Sequence, residues 1–90
     1  MGLRILNAGP GPEELCQKLE AAIREALPEA AEIAVRAGGA GHFSVAVRAA
    51  AFAGKTRVAQ HQMVYRALAP FMSGPDAPVH AIDSLDCATP

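Results

Sequence analysis

Apolar residues recur along the chain at changing intervals, and each change marks an expected element. From Pro12, the residues Leu15, Leu19, Ala22, Ile23 and Ala26 fall three or four apart, which puts them on one side of a helix. Pro12 suits the first helical position, Glu13 and Glu14 suit the positive end of the helix dipole, and Pro28 stops the run. The period then shortens to two. Ile33 and Val35 alternate with polar or small neighbours, as do Phe43, Val45 and Val47, and Gly38, Gly39 and Gly41 lie between the two runs. This predicts a β-hairpin whose glycines supply the positive φ angles of a tight connection.

Helical spacing returns after Gly54. Val58, His61, Val64, Tyr65 and Leu68 share one side of a helix expected to run to about Ala69, where Pro70 kinks or ends it and Phe71 and Met72 cap the core. The run "SGPDAP" reads as a loop. Val79–Ile82 is a short last strand, after which "DSLDCATP" trails off. Residues 1–11 read as a flexible Gly/Pro arm, so a single domain is expected over residues 12–90.

Composition narrows the function classes. A chain of 90 residues makes one small core, and with three Phe, one Tyr and no Trp that core rests on Leu, Ile and Val. The sequence shows neither an apolar run long enough for a membrane span nor the apolar centre of a signal peptide, so a soluble, cytoplasmic protein is expected. Leu6 stands where a myristoylation signal following Gly2 wants Ser or Thr. Cys16 and Cys87 read as reduced thiols, Cys16 as a small buried one beside the helix stripe. The net charge of −1 hides an asymmetry: six glutamates lie between Glu13 and Glu32, whereas residues 33–75 carry Arg36, Arg48, Lys55, Arg57 and Arg66 and no acidic residue. Such a basic middle is either a solvated face or a surface for an acidic partner.

Several chemistries are excluded by spacing. Gly54-Lys55-Thr56 ends like a phosphate-binding loop, but Ala49 occupies the position of its first glycine, where a Cβ obstructs the wrap of backbone N–H groups around phosphate. These residues read instead as the start of a helix with Thr56 able to cap it. Ser44, Ser73 and Ser84 have no nucleophile-elbow setting, and only Asp76, Asp83 and Asp86 could orient a histidine. Structural zinc needs four ligands at short paired spacings, whereas His42, His61, His80, Cys16 and Cys87 are scattered. The protein is not expected to be an enzyme.

Three pieces in order carry a resemblance: "GHFSVAV", "FAGKTRVAQHQMVYRAL" and "VHAI". With His42-Phe43, Phe52 and Gly54, His61 with Val64 and Tyr65, and Val79-His80-Ala81-Ile82 at preserved separations, the chain resembles the BolA family. The resemblance implies a class II KH-like α+β fold in the order helix, strand, strand, helix, helix, strand. It has a three-stranded sheet, helices on one face, and a C-terminal helix here short or absent. It also implies partnership with a monothiol glutaredoxin, sharing a two-iron, two-sulfur (2Fe-2S) cluster with that protein and glutathione, and, for some members, transcriptional regulation. The chain alone is expected to be a monomer or a weak homodimer without cofactor.

Within that resemblance His80 is the expected cluster ligand, on a short last strand. The hairpin loop, where relatives often place a Cys or His, has Ala40 instead, so His42 at its end is the substitute second ligand, unless it points into the sheet. Split ligation, thiolate at one iron and imidazole at the other, has precedent in Rieske centres. The alternative reading is a helix-turn-helix regulator with Lys55, Arg57, His61 and Arg66 on nucleic acid or a protein partner; His61 is then a contact, and otherwise a packing histidine. Gln60 and Gln62 stand where arginines often flank that histidine, which removes phosphate contacts and weakens the nucleic-acid reading.

Overall fold

The computed structural model describes residues 11–90, and the arm expected over residues 1–11 lies, Gly11 apart, outside them. Helix α1 spans Pro12–Ala26, strands β1 and β2 span Glu32–Ala37 and His42–Arg48, a single 3-10 turn spans Ala50–Phe52, helix α2 spans Arg57–Met72 and strand β3 spans Ala81–Ala88. The first of the two helices expected between β2 and β3 is thus one short turn.

Helix α1 starts at Pro12, and Gly11 accepts from the Leu15 N–H at 3.0 Å. Leu15, Leu19 and Ile23 are buried, as their spacing predicts. Ala26 is exposed, and its expected place in the core goes to Leu27, which follows the last helical residue and is turned inward before Pro28. Arg24 donates to the Ala30 carbonyl at 2.6 Å, which ties the helix end to the connection into β1.

The hairpin pairs Ile33 with Val47, Val35 with Val45 and Ala37 with Phe43. One face of the sheet therefore carries the apolar layer on which both helices pack, and Phe43, Val45, Val47, Phe52, Leu19, Ile23, Val64 and Leu68 form the centre of the core. Burying each of these side chains contributes about 1.5–3 kcal/mol. The other face is small and polar: Ala34, Arg36, Ser44, Ala46, Ser84 and Asp86 line a shallow open groove of about 210 Å³. Among the loop glycines only Gly41 takes a positive φ, at 74°; Gly38 and Gly39 do not need the left-handed region.

Two elements depart from expectation. In α2 the buried side carries Val64 and Leu68, supported by Met63, Ala67, Phe71 and Met72, while Val58 is 66% and Tyr65 39% exposed. Six residues at about 100° each turn Val58 about 120° away from Val64, so the five residues read as one stripe span more arc than the sheet can cover. The helix also continues past Pro70 to Met72. Pro70 falls in its last turn, and the Ser73 hydroxyl donates to the Ala69 carbonyl at 3.0 Å.

The last strand is the larger correction. It is Ala81–Ala88 and not Val79–Ile82: Val79 is a core residue just before it, and His80 stands in the approach to the strand. β3 lies parallel to β2 in the order β1-β2-β3. Its alternation is hidden in the sequence because the register slips. Ile82 pairs with Phe43 but Ser84 with Ser44, so Asp83 is an extra, bulged residue, and the inward set Ile82, Leu85 and Cys87 no longer has a constant period of two.

Candidate functional site

The site grows from the corner where the hairpin loop meets the start of β3. The Gly41 carbonyl accepts two N–H groups, from His80 at 2.7 Å and from Ala81 at 3.1 Å. Behind these bonds the His80 ring lies over Gly41 so closely that a Cβ there would collide with the imidazole, its Cγ being 2.8 Å from the Cβ position. Gly41 therefore answers two demands: a positive φ, which L side chains rarely adopt, and an empty cradle for an imidazole. The Gly38 N–H donates to the His42 carbonyl at 2.8 Å and the His42 N–H to the Gly39 carbonyl at 3.0 Å, which fixes the loop on its other side.

His42 is the first residue of β2 and pairs in register with Ala81, the neighbour of His80. The two histidines thus stand at one corner, His42 opening β2 and His80 just before β3. His80 is exposed, and the His42 side chain retains 45% of its accessible surface. His42 does not point into the core: Phe43 does, and strand alternation sends His42 to the open face, where its Nδ1 lies 2.8 Å from Asp83 Oδ1.

The remaining site residues lie elsewhere. Lys55 precedes α2, Arg57 opens it and Arg66 lies in its second half, all three exposed and forming no ion pair with a described residue. Half-buried His61 lines a small polar pocket of about 190 Å³ with Arg57, Leu85, Asp86 and Cys87. That pocket adjoins the far end of β3, and a seven-residue strand spans about 20 Å. The structure therefore brings His42 and His80 together and leaves Arg57 and His61 at the opposite end of the sheet. Local capping explains the latter group's backbone. Gly54 takes φ 75°, Thr56 accepts from the Ala59 N–H at 3.1 Å, and Gln60 donates back to the Phe52 and Lys55 carbonyls at 3.1 and 3.2 Å.

Neither thiol is prepared as a donor. Burial pushes the Cys87 thiol up, with Asp86 adding to the rise, and burial does the same for Cys16 against a backbone hydrogen bond at Ala37. Both stay protonated at neutral pH. Among the described residues no group of three or more His, Cys, Asp or Glu side chains is arranged to hold a metal ion. The corner presents two accessible imidazoles on a stapled scaffold, and a metal centre built on it needs further ligands from elsewhere.

Asp83 is the residue that sequence reasoning placed only among possible histidine-orienting carboxylates. Its signal is the pair of successive polar residues, Asp83-Ser84, between Ile82 and Leu85, which breaks an otherwise alternating run.

The comparisons agree with this fold. The model of the family described as BolA-like protein matches residues 15–90. A solved BolA homologue from Coxiella burnetii is 31% identical, with a TM-score of 0.65 over 82% of this chain and 88% of that one. BolA1 from Arabidopsis thaliana is 25% identical, with a TM-score of 0.68 over 83% and 90%. A Bol-like protein from Babesia bovis is 26% identical, with a TM-score of 0.71 over 90% and 91%. A comparison with curated proteins returns no match. With the fold, the order of its motifs and the family model in agreement over most of its length, the chain belongs to the BolA-like family.

Proposed function

We propose that this protein is an adaptor that offers His80 and His42 to one iron of a two-iron, two-sulfur cluster, the other iron being held by the thiolates of a monothiol glutaredoxin and glutathione. The observation that carries the reading is the stapling of both histidines to one exposed corner through Gly41. A shared cluster supplies two irons with different ligand chemistry, and imidazole at one of them raises the potential relative to all-thiolate ligation. The chain's own part is to keep two imidazoles close and accessible without catalysing a reaction. Its protonated, half-buried thiols do not compete with the partner's thiolates.

The test is anaerobic mixing with a cluster-loaded monothiol glutaredoxin and glutathione, read by visible circular dichroism. The expected result is a heteromeric spectrum distinct from that of the glutaredoxin homodimer and absent with His80→Ala. A spectrum that this chain leaves unchanged contradicts the reading.

A second reading, a nucleic-acid contact through α2, is favoured by Lys55, Arg57 and Arg66, which form no ion pair with a described residue, beside exposed Val58 and Tyr65. It is weaker because Gln60 turns back into its own turn and the net charge is −1. It requires binding that falls with salt by about 0.9 log unit per log unit for each phosphate contact.

A further inference from the structure

We propose that Asp83 is a positioning residue that holds the His42 ring with its proton on Nδ1, so that Nε2 is left as an open donor at the corner shared with His80. The inference deepens the ligand reading of His42 and rests on it.

The strand pairing sets the position of the carboxylate. His42 pairs with Ala81 and Phe43 with Ile82, but Ser44 pairs with Ser84. The bulge takes Asp83 out of the ladder, and a bulge is a device that re-aims a side chain. Here the re-aimed carboxylate places Oδ1 2.8 Å from His42 Nδ1. An ionised carboxylate only accepts. In the neutral ring the short contact therefore requires the proton on Nδ1, because the other tautomer would oppose two lone pairs. Nε2 then carries the free lone pair. Metal-binding imidazoles are oriented by this kind of outer partner.

The far side of the carboxylate is also accommodated. Asp83 Oδ2 lies 3.6 Å from where a Cβ on Gly38 would stand, so that side of the carboxylate faces the hairpin loop with the space a side chain would take left open. The pair adds little to stability, since both side chains are about half exposed, at 45% and 50%. An extra residue inserted into the last strand to make a weak surface pair is better accounted for by what it does to the ring.

The test uses nitrogen NMR of the histidine rings in the full chain at about pH 8, above the ordinary imidazole range, followed by titration with cluster-loaded glutaredoxin. In the unsubstituted protein the His42 proton is on Nδ1. Asp83→Asn keeps the size but lets an amide donate to Nδ1, which moves the proton to Nε2. Asp83→Glu returns a carboxylate and the Nδ1–H form, with the His80 ring as the unaffected internal control. In the titration Asp83→Asn lowers the affinity for the cluster-loaded partner about 10-fold or more, and Asp83→Glu recovers most of the loss. A His42 tautomer that ignores Asp83→Asn overturns the proposal, as does a tautomer that inverts with no change in cluster affinity. If the tautomer inverts while the unsubstituted chain takes no cluster at all, the ligand reading of the corner fails and the positioning of the ring by Asp83 is upheld.

Discussion

Gly41 is the residue on which the corner turns, because its φ of 74° and the His80 ring above it both exclude a side chain. Gly41→Ala is expected to cost about 1–3 kcal/mol of backbone strain alone, read as a lower denaturation midpoint, and to displace His80, read as a shift of its ring signals. Gly39→Ala, at a glycine with open space and no positive φ, is the control and should change neither. The thiols give a second expectation at this scale. Burial raises both cysteines above the ordinary 9.0, so the folded state binds protons that the unfolded state releases. Their contribution to stability is complete below about pH 9 and is lost as pH rises through the higher folded values. Thiol alkylation of the native protein at neutral pH should accordingly be slower than for unfolded chain, and a Cys87 that reacts as fast as a free thiol would contradict the burial.

The helix that follows Gly54 shows what an element's caps and faces decide. Thr56→Ala removes the cap on the Ala59 N–H and is expected to cost about 1 kcal/mol. Leu68→Ala, in the buried stripe, should cost about 2–5 kcal/mol, and Val58→Ala, on the opposite arc, close to nothing; comparable denaturation midpoints for these two variants would contradict the assigned face. Much of this was legible in the residues. Pro12, Pro28 and the spacing of Leu15, Leu19 and Ile23 define α1, and the two alternating runs around the glycines define the hairpin. What was not legible has physical causes. The α2 stripe expected from spacing is wider than the buried face, because sequence spacing shows which residues share a side but not how much arc the sheet covers. Strand β3 was read four residues long, because its outward residues Asp83, Ser84 and Asp86 are polar on an uncovered face and the bulge interrupts its period. Ala81 and Ile82 belong to that strand, whereas His80, the residue of greatest interest, stands just before it.

Across the whole molecule Arg57 and His61 lie at the opposite end of the sheet from the histidine corner, with Arg66 farther along α2, a division that needs the parallel pairing of β2 with β3 and so lay beyond any local pattern. His42 and His80 were nameable from the sequence; their adjacency required the crossover that returns α2 to the hairpin end. This separation has a consequence for experiment. Arg57→Ala and Arg66→Ala should reduce any nucleic-acid binding and its salt dependence while leaving ligation at the histidine corner intact. If Arg57→Ala abolishes cluster formation with glutaredoxin, the two ends are not functionally distinct. No helix among the described residues is long and apolar enough to cross a membrane, and the account does not call on one. Its central claim is that both imidazoles of the corner bind one iron. The most direct measurement is pulsed electron paramagnetic resonance of the reduced cluster complex, with the histidines of this chain labelled with a nitrogen isotope. Couplings from two distinct imidazoles of this chain are required, one of them lost in His42→Ala and both lost, together with the heteromeric complex, in His80→Ala. A single coupling that survives His42→Ala, or none from this chain, would contradict it.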